Sequence, residues 1–520
     1  MTHKLLIANR GEIAIRIINA AYELDMVTVS IYSEDDANAL HIKKSDEAYP
    51  LSGTGAAAYL DIPQIINIAK QAGCNYLHPG YGFLSENAQF AKACKEAGIN
   101  FVGPSAEILT LFGNKIKARE FAQKEDIPTI PGTYKATTLK EAKTFFASLP
   151  QGAKMMIKSL AGGGGRGMGI VDKIEEVQTV YQRCQNEASK AFGSAEIYVE
   201  KYLPLARHIE VQILGDGKAI THLWERECSI QRRHQKLIEI APCPHLTPNV
   251  RDNVINAAVH LAKTIKYENA GTFEFLVESN VFSGTPPFYF LEVNPRIQVE
   301  HTVTEEITGV DIVRFQLLQA LGDSLEKQGL TQSKIPTPKG IAIQARINTE
   351  SIDEQGETKL RTGQLTTFEM PYGTGVRIET AGYKGYSNSP NFDTLLTKLI
   401  VHSSSNDFQK AIQKLYRKLC ETRIEGIETN LSFLQNILQH PQFQNNQFYT
   451  KFIEDNLVEL IPEQEHHKFY FLADKVTSVQ REKETVLPED WIAVKTPMPG
   501  SVLKVEIKVG DVVELSLIHI

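Results

Sequence analysis

Residues 288–309, FYFLEVNPRIQVEHTVTEEITG, restrict what this chain can fold into more than any other stretch. Phe288, Tyr289, Phe290 and Leu291 read as a short apolar strand behind Pro286 and Pro287. Polar residues then recur at strict period two: Glu292, Asn294, Arg296, Gln298 and Glu300, with Val293, Pro295, Ile297 and Val299 between them. In an extended segment that spacing puts the polar side chains on one face and anchors the apolar ones in a core. A solvated strand edge shows the same alternation, but the choice of polar residues points to chemistry. A carboxylate with an amide suits Mg²⁺, arginine with an amide suits a small oxyanion, and a second carboxylate can act as a base.

At 520 residues the chain is long enough for several domains. A net charge of -7, from 55 basic and 62 acidic residues, argues against nucleic acid as the main partner. The six cysteines (Cys74, Cys94, Cys184, Cys228, Cys243 and Cys420) are scattered without metal-ligand spacing, which fits a reduced cytoplasm better than a disulfide framework. The opening MTHKLLIANRGEIA has too short an apolar run for a signal peptide, and no stretch reaches the length of a membrane span. The expectation is a soluble cytoplasmic protein without membrane contact.

In chain order, residues 4–9 read as a buried strand, Glu12–Leu24 as a helix and Val27–Tyr32 as a second strand. No G-x-G-x-x-G follows, so residues 1–112 are expected to form a doubly wound α/β domain without a dinucleotide. The glycine-punctuated HPGYGFLSEN (78–87) follows a strand at 75–77. It is either a ligand loop at the carboxyl edge of the sheet or a turn with a buried aromatic. A helix with Lys115 and Lys117 follows, closed by Pro128. Residues 133–203 read as a small α+β unit: a strand at 155–160, a glycine run, two helical patterns and a strand at 196–203. Six glycines in positions 162–169 leave a backbone free to close over a ligand, and its N–H groups suit polyphosphate. Lys158 and Arg166 favour a phosphate lid over a flexible linker. A strand at 207–214 leads to a basic cluster, Gln231–Lys236, read as anion contact rather than a solvated charge run. In GTFEFLVES (271–279) Glu274 sits between phenylalanines and has to be paired or metal-bound, and Glu292 on a neighbouring strand could share the metal. KIPTPKG (334–340) marks a boundary before a third region of strands and two helices to about 445, followed by a charged linker over 450–490.

Seven motifs in this order, IANRGEIA, HPGYGFLSEN, GGGGRGM, ERECSIQRRHQK, GTFEF, EVNPRIQVEH and ARIN, resemble biotin carboxylase, the ATP-grasp component of biotin-dependent carboxylases. The resemblance runs from residue 4 to about 445 and implies α/β and α+β architecture. It implies an N-terminal doubly wound α/β domain (1–112), an ATP-grasp domain (113–330) with a mobile glycine-rich lid (133–203), and a C-terminal α+β domain (335–445). By resemblance, Lys115, Lys158, Glu200, Lys201, Leu203, His208, Gln231 and His234 bind ATP, together with Gly162, Gly163, Gly164, Gly165, Arg166 and Gly167 of the lid. Glu274, Glu292 and Asn294 hold Mg²⁺ or Mn²⁺, the two glutamates also meeting the nucleotide. Lys236, Arg296, Gln298 and Val299 grip bicarbonate, and Glu300 is the base. Arg346 stabilises the biotin enolate, with Tyr81 near the biotin ring. Gln344 departs from the family, where many relatives carry glutamate, and leaves the surroundings of Arg346 open.

The implied enzyme is an ATP-dependent C–N ligase that carboxylates biotin on a carrier. Its implied partners are a biotinyl carrier domain and a carboxyltransferase, and a second copy of the chain as a homodimer. Residues 494–514 resemble the first strands of such a carrier, without its biotinylated lysine. The last six residues, 515–520, break the pattern and read as an artificial end, so the natural chain is expected to continue. EVNPRIQVEHTVTEEITGVDIV and QKLIEIAPC look closer to the pyruvate carboxylase type, but a carrier directly after the carboxylase departs from the order in pyruvate carboxylase. The reading therefore favours an acyl-CoA carboxylase, acetyl-CoA first and with it fatty acid biosynthesis, over pyruvate; propionyl-CoA, longer acyl-CoAs and urea stay open. Two other readings are a carbamoyl-phosphate-synthetase-like ligase and a catalytically silent scaffold. The first is disfavoured by HPGYGFLSEN, RIQVEH and QRRHQK, the second by an intact motif set.

Overall fold

A computed structural model describes residues 3–133, 135–160, 167–244, 246–278, 287–353, 355–461, 470 and 508–512. The chain forms two units, Met1–Tyr470 and Phe471–Ile520. Of the second, the described residues are a turn in which the Lys508 N–H donates to Asp511 Oδ2 (2.7 Å). The glycine run at 162–166, most of the carrier-like stretch and the terminal 515–520 lie outside the described residues.

The first domain carries five parallel strands, β1 (Lys4–Ile7), β2 (Val27–Tyr32), β3 (Glu47–Pro50), β4 (Tyr76–His78) and β5 (Asn100–Phe101), in the order β3-β2-β1-β4-β5. This is the doubly wound sheet expected from the strand–helix–strand opening, and its order reverses between β1 and β4. The HPGYG loop leaves β4 at that reversal, the crevice where open α/β sheets bind ligands. Asn9, just past β1, donates to the carbonyls of Pro79 and Tyr81, both at 2.7 Å. Gly80 is required there: its φ is +63°, and a Cβ would come 2.8 Å from the Asn9 amide.

A separate antiparallel sheet, β7-β6-β8, is built from β6 (Met155–Ser159), β7 (Met168–Val171) and β8 (Ile197–Lys201), with the helices Leu139–Ser148 and Val177–Phe192. Its order corrects the expected succession of two helices after the glycine run. One helix precedes β6, and β7 pairs back on β6, because Met168–Val171 is a short run that completes an antiparallel pair.

Most of the remaining strands of the first unit form one eight-stranded antiparallel sheet, beside two short two-stranded pairs at Glu350–Ile352 with Thr358–Leu360 and Thr367–Glu369 with Arg423–Glu425. Its strands are β9 (Ala206–Asp216), β10 (Ile220–Arg232), β11 (Gln235–Ala241), β12 (Glu268–Glu278), β13 (Phe288–Asn294), β14 (Ile341–Asn348), β15 (Val376–Thr380) and β16 (Leu395–Ser403). They run in the order β13-β12-β9-β10-β11-β14-β16-β15. The sheet crosses the 334–340 stretch without a break, since β14 pairs with β11 in register Gln344 to Glu239. Helices cover it. In Phe408–Glu421, capped by Asp407, the buried Ala411, Ile412, Leu415 and Leu419 form the stripe that 3.6-residue periodicity dictates.

The linker expected from residue 450 does not begin there. Residues 452–455 and 457–460 are helical, and Phe452, Ile453 and Leu460 join the core of the C-terminal region. Charged neighbours hid these three apolar anchors. All six cysteines are buried free thiols. Among the described residues no helix is long and apolar enough to cross a membrane.

Phe452 is fully buried, with the His440 ring edge-on at 5.1 Å. Phe452→Ala is expected to cost about 3–5 kcal/mol, read as a lowered denaturant midpoint. Burial also keeps His41 neutral, its pKa lowered to about 4, and His78, lowered to about 3, with His301 held well below its usual value. Unfolded imidazoles titrate near 6.5, so the unfolded chain binds more protons below that pH. The stability these groups contribute is full above pH 6.5 and falls by about 1.4 kcal/mol per pH unit per histidine as the solution is acidified toward 4.5. A denaturant midpoint no lower at pH 5 than at pH 7 would contradict this.

Candidate active site

The polar heart of the large sheet is a row across four neighbouring strands. Arg226 on β10 pairs in register with Glu210 on β9, Glu210 with Glu274 on β12, and Glu274 with Glu292 on β13. Three adjacent carboxylates on one face repel one another unless cations intervene. Arg226 supplies one. Fully buried, it donates to Glu210, to Gln212 and Thr304 (2.9 Å each), to Thr272 (3.2 Å) and to Gln298 Oε1 (2.9 Å). Lys236 supplies the second, with its ammonium 2.7 Å from Glu210, 2.7 Å from Glu300 and 3.4 Å from Glu274. At the far end the Glu292 carboxylate has no hydrogen bond or ion pair among the described residues.

The opening stretch reaches this row by a different path from the one its alternation suggests. The strand ends at Asn294; residues 295–300 are irregular, and Glu300 precedes the helix His301–Thr308. Pro295 supplies no ladder N–H, which fits an end to pairing there. Even so, Glu292, Asn294, Arg296, Gln298, Val299 and Glu300 all line the same cleft of about 460 Å³. A turn rather than one strand face brings them together.

Glu274 accepts from His208, Asn294, Gln298 (2.6 Å) and Lys236. The Gln231 amide donates to His208 Nδ1 (2.6 Å), so Nε2 carries the proton given to Glu274. Burial alone would raise the Glu274 carboxyl, but Lys236 and His208 hold it well below the usual carboxylate range. The same contest, won by Lys236, Arg346 and Arg226, holds Glu300 far below that range. The three carboxylates in turn push Lys236 well above its usual value despite burial. Arg346 donates to Glu300 (3.0 Å) and to Glu239 (2.6 Å), and Gln344 steadies Glu239 by donating to its second oxygen (2.9 Å). An amide at 344 therefore serves as donor to a buried carboxylate. Arg296 bonds Glu86 (2.7 Å) and Asn294 Oδ1 (3.1 Å).

Lys115, Lys158, Glu200, Lys201, Leu203, His208, Gln231 and His234 also line the cleft. The Glu200 carboxylate is held by Arg119 (2.6 Å) and Lys158 (2.5 Å). Gly167 immediately precedes β7 at φ +67° and is not on the cleft wall. Gly162, Gly163, Gly164, Gly165 and Arg166 lie outside the described residues. Tyr81 is not on the wall either; its hydroxyl donates to Glu12. Glu274, Glu292 and the Asn294 amide present hard oxygen donors on adjacent strands, and a carboxylate without a partner among the described residues at the end of an acidic row fits a divalent cation.

Three family models match the chain: "Biotin carboxylase, N-terminal domain" over residues 1–109, "Carbamoyl-phosphate synthase L chain, ATP binding domain" over 114–328, and "Biotin carboxylase C-terminal domain" over 344–455. The biotin carboxylase domain dimer of Hydrogenobacter thermophilus 2-oxoglutarate carboxylase, solved with MgADP, ADP and bicarbonate, is 39% identical. It aligns at TM-score 0.83 over 89% of this chain and 100% of its own. The chain belongs to the biotin carboxylase family. Campylobacter jejuni biotin carboxylase, solved as a β,γ-ATP complex, aligns at TM-score 0.82 with 37% identity, over 88% of this chain and 99% of its own. Pyruvate carboxylase of Staphylococcus aureus is 48% identical over 458 residues, 87% of this chain and 39% of the relative. The human mitochondrial enzyme is 45% identical over 509 residues, 95% of this chain and 42% of the relative. The chain thus spans about two fifths of the length of the pyruvate carboxylases it matches. The middle match carries the name of the rival ligase, but biotin carboxylase models flank it on both sides.

Among the residues of this site and its surroundings, Glu210, Arg226, Glu239, Glu12 and Lys398 escaped the sequence reading. A signal existed for Glu210: His208, Glu210 and Gln212 alternate on a buried strand, the logic that singled out Glu274. Arg226→Met would leave Glu210 buried beside two other carboxylates. The expected loss of about 3–5 kcal/mol, measured by chemical denaturation, should exceed that of the double variant Arg226→Met/Glu210→Gln.

Proposed function

We propose that this cleft carboxylates biotin at the expense of ATP and bicarbonate, the first half-reaction of a biotin-dependent carboxylase. The observation that carries it is Glu300 suspended between Lys236 and Arg346 at distances of 2.7 and 3.0 Å. A carboxylate clamped by two cations is a weak base. An anion such as bicarbonate that draws Lys236 to itself relaxes the clamp and restores basicity to Glu300 where the proton is to be removed. Lys236, Arg296, Gln298 and the Val299 backbone hold the bicarbonate. Lys115, Lys158, Glu200, Lys201, Leu203, His208, Gln231 and His234 hold the nucleotide, and the resemblance assigns its phosphates to the glycine run of 162–167.

Glu274, Glu292 and Asn294 would hold Mg²⁺, which supplies positive charge to the phosphate oxygens. Deprotonated bicarbonate attacks the γ-phosphorus and displaces ADP, giving carboxyphosphate. Its breakdown yields carbon dioxide and phosphate; the phosphate takes the ureido proton of biotin, and the enolate attacks carbon dioxide. Arg346, freed from Glu300, faces the enolate oxygen, with Tyr81 beside the ring.

Likeness to pyruvate carboxylases supports a 2-oxo acid, pyruvate, as final acceptor, and lends no support to the acetyl-CoA and fatty acid biosynthesis reading drawn from the carrier's position. A biotinyl carrier and a carboxyltransferase are the chain's proposed partners. The homodimer reading is supported by the dimeric form of the Hydrogenobacter domain.

ADP release is expected to require bicarbonate and to rise with free biotin. Biotin-independent turnover would indicate another ATP-grasp ligase, and no turnover a scaffold. Glu300→Gln and Arg346→Ala should each lower biotin carboxylation about 10²–10⁴-fold while nucleotide still binds in a direct titration. Normal turnover in either variant would refute the assigned role.

A further inference from the structure

Lys398 on β16 is fully buried, on a strand where Leu396, Leu399, Ile400 and Val401 are buried too. It lies in register with Arg346 on β14 and with Glu379 on β15, so Lys398 and Arg346 rise side by side from one face of the sheet. Each takes hold of one residue of the same turn. Lys398 Nζ donates to the Val299 carbonyl at 3.0 Å, and Arg346 donates to the Glu300 carboxylate at 3.0 Å. The Lys398 ammonium also lies 3.0 Å from Glu12 Oε2, in the first turn of the helix Gly11–Tyr22. The other Glu12 oxygen accepts from the Tyr81 hydroxyl. Three parts of the fold meet at this ammonium: the first domain, the turn at Val299–Glu300 and the C-terminal strands.

A buried ion pair contributes little to stability over an apolar pair of the same volume. Removing a lysine from water in order to hold one turn carbonyl and one remote carboxylate therefore points to position rather than strength. A shift of the Val299 carbonyl moves Glu300 against Lys236. A shift of Glu12 moves the Tyr81 phenol.

We propose that Lys398 is a positioning residue that sets the bicarbonate turn and the Glu12–Tyr81 pair in register, so that one buried ammonium aligns the acceptor side of the cleft with its bicarbonate side. The proposal rests on the biotin carboxylase reading above.

The test uses the 520-residue chain with Glu12→Gln and the charge-neutral double variant Lys398→Met/Glu12→Gln, assayed by ADP release against biotin, bicarbonate and ATP. Lys398→Met alone strands a buried carboxylate and reports mainly on folding; the double variant removes that burden. Glu12→Gln leaves the lysine on Val299 and loosens Tyr81. It should raise the KM for biotin while the KM for bicarbonate stays at the wild-type value. The double variant should keep the wild-type Tm and KM for ATP, yet lose about 10²-fold in kcat/KM for both biotin and bicarbonate.

A folded double variant with wild-type constants for both substrates would overturn the proposal. So would a Glu12→Gln variant whose two KM values rise together, and that split decides the matter if the double variant does not fold. Absence of biotin-dependent turnover in the wild-type chain would instead remove the underlying reading, an outcome distinct from an active wild type with indifferent variants.

Discussion

The ammonium of Lys236, set among Glu210, Glu274 and Glu300, is the interaction on which the centre of this molecule depends. Adjacent carboxylates on one sheet face are tolerable only with counter-charge, and a buried carboxylate left alone would take up a proton instead of staying ionised. Lys236 and Arg226 keep the row ionised, and the hydrogen bonds they spend in doing so orient Gln298, Thr304 and Glu300. The charge that the site offers to a substrate and the rigidity of the sheet thus have the same source. Removing one partner disturbs both.

Continuity of the large sheet explains how residues from two matched regions share one cleft. Strands from the ATP-binding match and from the C-terminal match are neighbours in one antiparallel array, so Arg346 and Lys398 stand beside the turn that carries Val299 and Glu300. The first domain meets Lys398, which holds that turn, through Glu12 and, by way of Glu86, meets Arg296. Its contribution to the cleft is made through side chains that dock on the large sheet rather than through shared strands.

Much of the fold was legible because local patterns matched their tertiary use. The Val27–Tyr32 strand, the Phe408–Glu421 helix and the loop after β4 follow from periodicity and glycine placement, and the structure forms them where those signals lie. The continuous sheet was not legible, because the prolines at 336 and 338 look like a domain boundary whether or not the flanking strands pair across it. Residues 452–460 were misread for a related reason: three apolar anchors among charged neighbours resemble a linker until the surface that receives them is known.

By itself the sequence determined which residue types line the cleft. Glu274 on an apolar strand has to be paired, and the alternation from Glu292 to Glu300 has to separate a polar face from an apolar one. Only the tertiary structure decided how they meet, since the alternating face breaks after Asn294 and a turn completes the set. It also decided who their partners are. Arg226, Glu210 and Lys398 lie far along the chain from the residues they hold, and cross-strand register, which no local pattern encodes, brings them into contact.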